Sequence, residues 1–166
     1  NAPLSEGKGW MAEGGVREPL LVCWPGVVAP GSLCDTPVTS PDFYPTFLEA
    51  AQLPFRPEQH QDGVSFLPLL RSERWERGPI FWHYPHYGNQ GGTPCSGMRE
   101  GPWKLIETFE TGHCALFNLR EDLGETQDLA PVFPDRVTEM HRAMVTWRQE
   151  VGALLPMKKP SFLSGA

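Results

Sequence analysis

The chain has 166 residues, enough for one domain with a real core, and its 40% hydrophobic and 11% aromatic content predicts a folded chain. Eighteen prolines and 17 glycines predict many loops and short elements. A net charge of −6 argues against a nucleic-acid surface, which needs a concentrated basic face, and no apolar run approaches the roughly 18 residues of a membrane span.

The N-terminal residues 1–6 carry neither a basic region nor an apolar signal core and start abruptly, as if continuing something longer. Residues 7–15 set one cation, Lys8, among Gly7, Gly9, Gly14 and Gly15. Glycines allow tight turns and close approach to a ligand, and lysine is a compact charge suited to sulfate or phosphate. A P-loop is excluded, because it would need glycine at position 2 and a hydroxyl at position 9, where Ala2 and Gly9 stand. Glu13 and Arg17, four apart around two glycines, are expected to be structural, pinning the turn and holding Lys8 in place.

Residues 20–24 form a continuous apolar run closed by Pro25-Gly26, the pattern of a strand buried on both faces. A loop over 27–39 leads to Thr39-Ser40-Pro41-Asp42, which supplies helix-start chemistry for residues 43–53 with Phe43, Phe47, Leu48 and Ala51 inward. Residues 64–70 predict a short helical turn with Phe66, Leu67 and Leu70 inward, and the charged cluster 71–78 is the expected boundary.

Beyond it the pattern predicts an antiparallel meander: strands over 79–84, 96–99, 103–109 and 114–119, with turns at Glu100-Gly101 and Thr111-Gly112. Residues 134–151 predict the strongest helix, with Val137, Met140, Met144, Trp147 and Val151 on one face, covering the meander. The tail, 156–166, is expected to lie loosely on the surface.

The segment His83-Tyr84-Pro85-His86-Tyr87, leading into Gly88-Asn89-Gln90-Gly91-Gly92, is the second candidate constellation. A substrate pocket for a sugar or aryl group, ordinary strand-end packing, and half of a metal site are three open readings, the last weakened by the lack of a nearby third ligand. His60, His113 and His141 look incidental. Cys23, Cys34, Cys95 and Cys114 form no Cys-x-x-Cys pair, so buried thiols or one or two disulfides are both open.

Gly7-Lys8-Gly9, then Glu13-Gly14-Gly15-x-Arg17-x-Pro19 and Trp24-Pro25-Gly26 closely resemble the type I, formylglycine-dependent sulfatases of the alkaline-phosphatase-like superfamily. The similarity continues through Asp42-x-x-Pro45-Thr46, Asp62-Gly63, Pro68-Leu69-Leu70, Arg99-x-Gly101-x-x-Lys104 and Gly124-Glu125-x-x-Asp128-Leu129. These segments resemble the second half of a sulfatase. The resemblance implies an α/β fold in which 1–77 close a mixed-sheet catalytic domain and 78–166 form a small antiparallel sheet packed against a terminal helix.

It also implies a role for Lys8 as the catalytic lysine that neutralises charge on the sulfate ester's bridging oxygen, with His83 and His86 in the substrate wall. His-Tyr-Pro-His segments like this one occur in bacterial sulfatases. Calcium and formylglycine are implied for the full-length enzyme, their residues lying in an N-terminal half that this chain lacks, so the chain alone is expected to be inactive and to lack a metal site. The expected substrate is a carbohydrate or aryl sulfate, and the expected location is secreted, periplasmic or lysosomal. A non-catalytic module that binds sulfated glycans is the alternative, and a phosphate- or phosphonate-ester hydrolase of the same superfamily ranks third. An unpartnered sheet edge predicts poor solubility or a partner chain.

Overall fold

The computed structural model describes residues 1–157, which fall into two compact units, one of residues 19–78 and one that joins 1–18 to 79 onward. The expected boundary lies where the charged cluster ends. Residues 1–18 nevertheless group with the later part of the chain rather than with 19–77, because Glu13 finds its partners on the meander.

In the unit of 19–78, a 3-10 turn Ser40–Asp42 runs into α2, Phe43–Ala50, which follows the four-residue α1, Glu13–Val16, in chain order. A capping box forms: the Thr39 backbone N–H donates to Asp42 Oδ2 at 2.7 Å. Asp42 Oδ1 accepts from the Val64 N–H at 2.9 Å and Thr46 Oγ1 from the Phe66 N–H at 3.0 Å, which fixes the following segment against α2. The short α3, Leu67–Leu70, covers only the second half of the expected turn. Helix α2 stops at Ala50 instead of 53, and Phe47, expected inward, is 65% exposed and stacks on Phe43.

Residues 20–24 form no strand, and Leu21 is 93% exposed. A strand buried on both faces needs a ladder partner, and among the described residues none pairs with this run.

The other unit is built on β1, Ile80–Tyr84, β2, Cys95–Glu100, β3, Trp103–Thr108, and β4, His113–Asn118, an antiparallel sheet in sequential order. The register aligns Phe81, Met98, Leu105 and Leu116 in one row. This row meets α4, Pro134–Glu150, whose Met140 and Met144 are fully buried in the same cluster. Val151, placed on the helix's apolar face by its spacing, is instead the exposed residue that ends it.

Alternation puts Gly97, Ile106 and Ala115, and with them Arg99, Lys104 and Phe117, on the opposite face. Residues 1–18 cover it, with Met11 lying over Gly97. Of the expected surface tail, Pro156 and Met157 are exposed and 158–166 lie outside the described residues.

Candidate functional site

The loop before α1 closes through a turn in which the Trp10 N–H donates to the Gly7 carbonyl at 3.1 Å, with Lys8 inside the turn. The loop rests on α1: the Gly14 N–H donates to the Ser5 carbonyl at 2.9 Å. A Cβ on Gly15 would stand 2.1 Å from the Trp10 oxygen and 2.6 Å from the Gly7 oxygen, so only glycine lets the helix approach this closely. Lys8 itself is exposed and makes no ion pair or hydrogen bond among the described residues.

The Lys8 turn and the 88–92 loop are neighbours. Trp10 Nε1–H donates to the Gln90 carbonyl at 3.1 Å, and a Cβ on Gly92 would fall 2.2 Å from the Gly9 oxygen. The two glycine-rich segments singled out in the sequence thus meet at one end of the sheet. His86 there is exposed, edge-on to Tyr84 at 5.4 Å. The exposed Tyr87 donates its hydroxyl to Glu110 at 2.6 Å, a bond that raises the pKa of the phenol. His83 is different. Its Nδ1 lies 2.8 Å from Ser96 Oγ and its Nε2 2.8 Å from the Leu154 carbonyl, so both ring nitrogens are engaged and its contacts favour strand-end packing.

Beneath the Lys8 turn lies a charge cluster that the spacing of the chain does not announce. Lys104, on β3, is fully buried, with Nζ 2.9 Å from Glu13 Oε1 and 2.9 Å from Glu125 Oε1. Glu125 Oε2 accepts from the Glu13 backbone N–H at 2.6 Å. Glu125 Oε1 is buried with no aligned hydrogen bond, so Lys104 reaches it as an ion pair. Arg99 Nη1 stands 3.4 Å from Glu13 Oε2, and burial lowers the pKa of this guanidinium.

Arg17 is half exposed and 3.9 Å from Glu13 Oε2. The carboxylate expected to pair chiefly with Arg17 is therefore held mainly by Lys104. Within the sequence, Lys104 alternates with apolar neighbours as a solvent-facing residue would, and its partner is 91 positions away. The only sequence signal for it was the family-like segment around Arg99 and Lys104.

A cavity of about 250 Å³ separates the turn from the sheet, bounded above by Ser5, Gly9 and Trp10 and below by Ile106, Thr108 and Phe117. Glu6 lines it, and partial burial together with nearby Glu125 raises the pKa of its carboxyl group. Cys95 also lines it; burial, then Glu6, pushes this thiol up to about 11, which keeps it protonated and non-nucleophilic at neutral pH. All four cysteines are free. Among the described residues no group of three or more His, Cys, Asp or Glu could hold a metal ion, so the calcium implied by the resemblance finds no fitting donor set here. No helix among them is long and apolar enough to cross a membrane.

Comparison with known proteins matches residues 7–150 to the family N-sulphoglucosamine sulphohydrolase, C-terminal. A sulfatase of Formosa agariphila is 38% identical over 149 residues, covering 83% of this chain and 27% of its own length. Human arylsulfatase A is 38% identical over 84 residues, covering 51% of this chain and 16% of its own. The crystal structure of Ps i-CgsB in complex with k-i-k-neocarrahexaose is similar with a TM-score of 0.77 and 32% identity, over 89% of this chain and 32% of that one. The chain thus spans about a third or less of the length of these relatives.

Proposed function

Because the chain belongs to the C-terminal family of N-sulphoglucosamine sulphohydrolase and is the C-terminal portion of a sulfatase, we propose that it presents Lys8 to the sulfate ester in a sulfuric ester hydrolase. The observation that carries this reading is the seat of Lys8: an exposed ammonium, unpaired among the described residues, on a turn held by glycine contacts to α1 and to the 88–92 loop. When the S–O bond to the alcohol breaks, negative charge grows on the departing oxygen. A fixed cation there stabilises the transition state more than the ground state.

Glu13 serves as structural support of that seat, with Arg17 as a weaker outer contact. His86, with Tyr84 and Tyr87 beside it, forms the wall for the alcohol portion, and His83 backs the strand that carries them. The exposed aromatic rim and the hexaose bound by Ps i-CgsB support a sulfated carbohydrate over a small aryl sulfate. Formylglycine and calcium would be supplied by residues outside this chain, in the N-terminal part of the same enzyme, and the chain alone would not turn over. Delivery to a secreted, periplasmic or lysosomal compartment fits that substrate class.

The test is Lys8→Ala in the active sulfatase that carries this segment. The expected result is a fall in kcat of about a hundred-fold or more with an unchanged unfolding midpoint. Turnover equal to the parent would discard the role of Lys8. The binding-module alternative is decided by calorimetry of the 166-residue chain with sulfated and desulfated oligosaccharides, where selective uptake by the chain alone would favour it.

A further inference from the structure

The buried cluster under the turn explains how Lys8 is held, and we propose that Lys104 and Glu125 are the positioning residues of the lysine turn. The inference rests on the reading of Lys8 above. Three observations carry it.

First, a cavity of about 250 Å³ opens between Ser5, Gly9 and Trp10 and the strand residues Ile106, Thr108 and Phe117, so support of the turn comes from its flanks, the 88–92 loop on one side and α1 on the other. Second, the turn is fixed to α1 by the Ser5, Gly7 and Trp10 carbonyls against Gly14 and Gly15, so it goes where α1 goes. Third, α1 is tied down through Glu13, its side chain to Lys104 of β3 and its backbone N–H to Glu125 in the segment after β4. Glu125 touches both ends of this tie, with one oxygen on Lys104 and the other on the Glu13 N–H.

Position Glu125 must therefore offer two acceptors to two donors at once. A glutamine there offers one acceptor and sets its NH₂ against the other donor. Glu13 has the same requirement, since Lys104 and Arg99 approach its two oxygens. Glu125 also adopts a left-handed backbone, φ 51°, unfavourable for a residue with a long side chain, which the surrounding contacts must hold in place.

Hydrogen exchange on the active sulfatase that carries this segment tests the anchor without any appeal to catalysis. Glu125→Gln and Glu13→Gln are expected to raise exchange in peptides covering residues 5–15 by about tenfold or more, with peptides over 95–118 unchanged. Unchanged exchange over 5–15 overturns the proposal, and so does equal loosening of the sheet in both variants, which would make the cluster a general support of the fold.

In the active sulfatase, Glu125→Gln alone is expected to lower kcat about ten- to hundred-fold, more for a sugar alcohol leaving group than for an acidic phenol, with KM little changed. On a Lys8→Ala background the same substitution is expected to cost less than about twofold, because the positioned group is already gone. Additive losses overturn the coupling. A silent Lys8→Ala would instead remove the catalytic reading of Lys8, while the exchange experiment still decides whether the cluster holds the turn.

Discussion

Asp42 is the most constrained carboxylate in the unit of 19–78. It is fully buried, and it accepts from Thr39, from Val64 and from Arg77 Nη2 at 2.9 Å. Burial works to raise its pKa, but the bonds from Arg77, Val64 and Thr39 together outweigh it and the net shift is downward from 3.8. A carboxylate whose folded pKa lies below its unfolded value stabilises the fold above the unfolded pKa, and that contribution is lost as pH falls through the folded one. Acid unfolding of this unit is therefore expected to begin below about pH 3.8, followed by fluorescence across an acid titration. Arg77→Ala strips the main compensating cation from a buried charge, and urea unfolding is expected to show a loss of about 3–5 kcal/mol, with the acid transition moved to higher pH.

At the scale of elements, two pieces decide the architecture of the sheet unit. Helix α4 is held by Met140 and Met144 in the core, by the parallel stack of Phe81 on Trp147 at 4.8 Å, and by Arg148, whose Nη1 is 2.7 Å from Glu107. Deleting a buried side chain that cannot be replaced by neighbours leaves a cavity, so Met144→Ala is expected to cost about 2–5 kcal/mol in thermal or urea unfolding. The other piece is α1 with its turn. Gly15→Ala would force a methyl group into the Trp10 and Gly7 carbonyls, so the turn must lift. The expected signature is a loss of turnover in the active sulfatase comparable to that of Lys8→Ala, with the unfolding midpoint of the sheet little altered. Normal turnover in this variant would show that the turn need not sit on α1.

On the scale of the whole molecule, the most unusual surface is apolar. Leu20, Leu21, Val22 and Leu33 are exposed in the unit of 19–78, and a run of this composition without strand partners is an aggregation hazard. Leu21→Lys is expected to raise the concentration at which the chain stays monodisperse by light scattering, while leaving its unfolding midpoint unchanged, since Leu21 is 93% exposed and buries almost nothing here. A lower midpoint would mean that the run contributes to folding of the chain as it stands.

The sequence by itself determined the elements whose signals are local. Alternation bounded by turn residues located β3 and β4, an apolar and aromatic run located β1, a three-four spacing located α4, and a capping pattern located the start of α2. It also singled out Lys8, because glycines on both sides of one cation are a local pattern, and its family-like segments matched the sulfatase family.

The tertiary structure decided what depends on distant partners. The apolar run 20–24 reads as a buried strand, but a strand is a property of a ladder and none forms around it among the described residues. Lys104 stands between Trp103 and Leu105 in an alternating strand; it is buried because residues 1–18 fold over its face and bring Glu13 to it across 91 positions. Burying a charge is costly unless an opposite charge arrives with it, and which carboxylate arrives is fixed by chain topology, which no local spacing encodes.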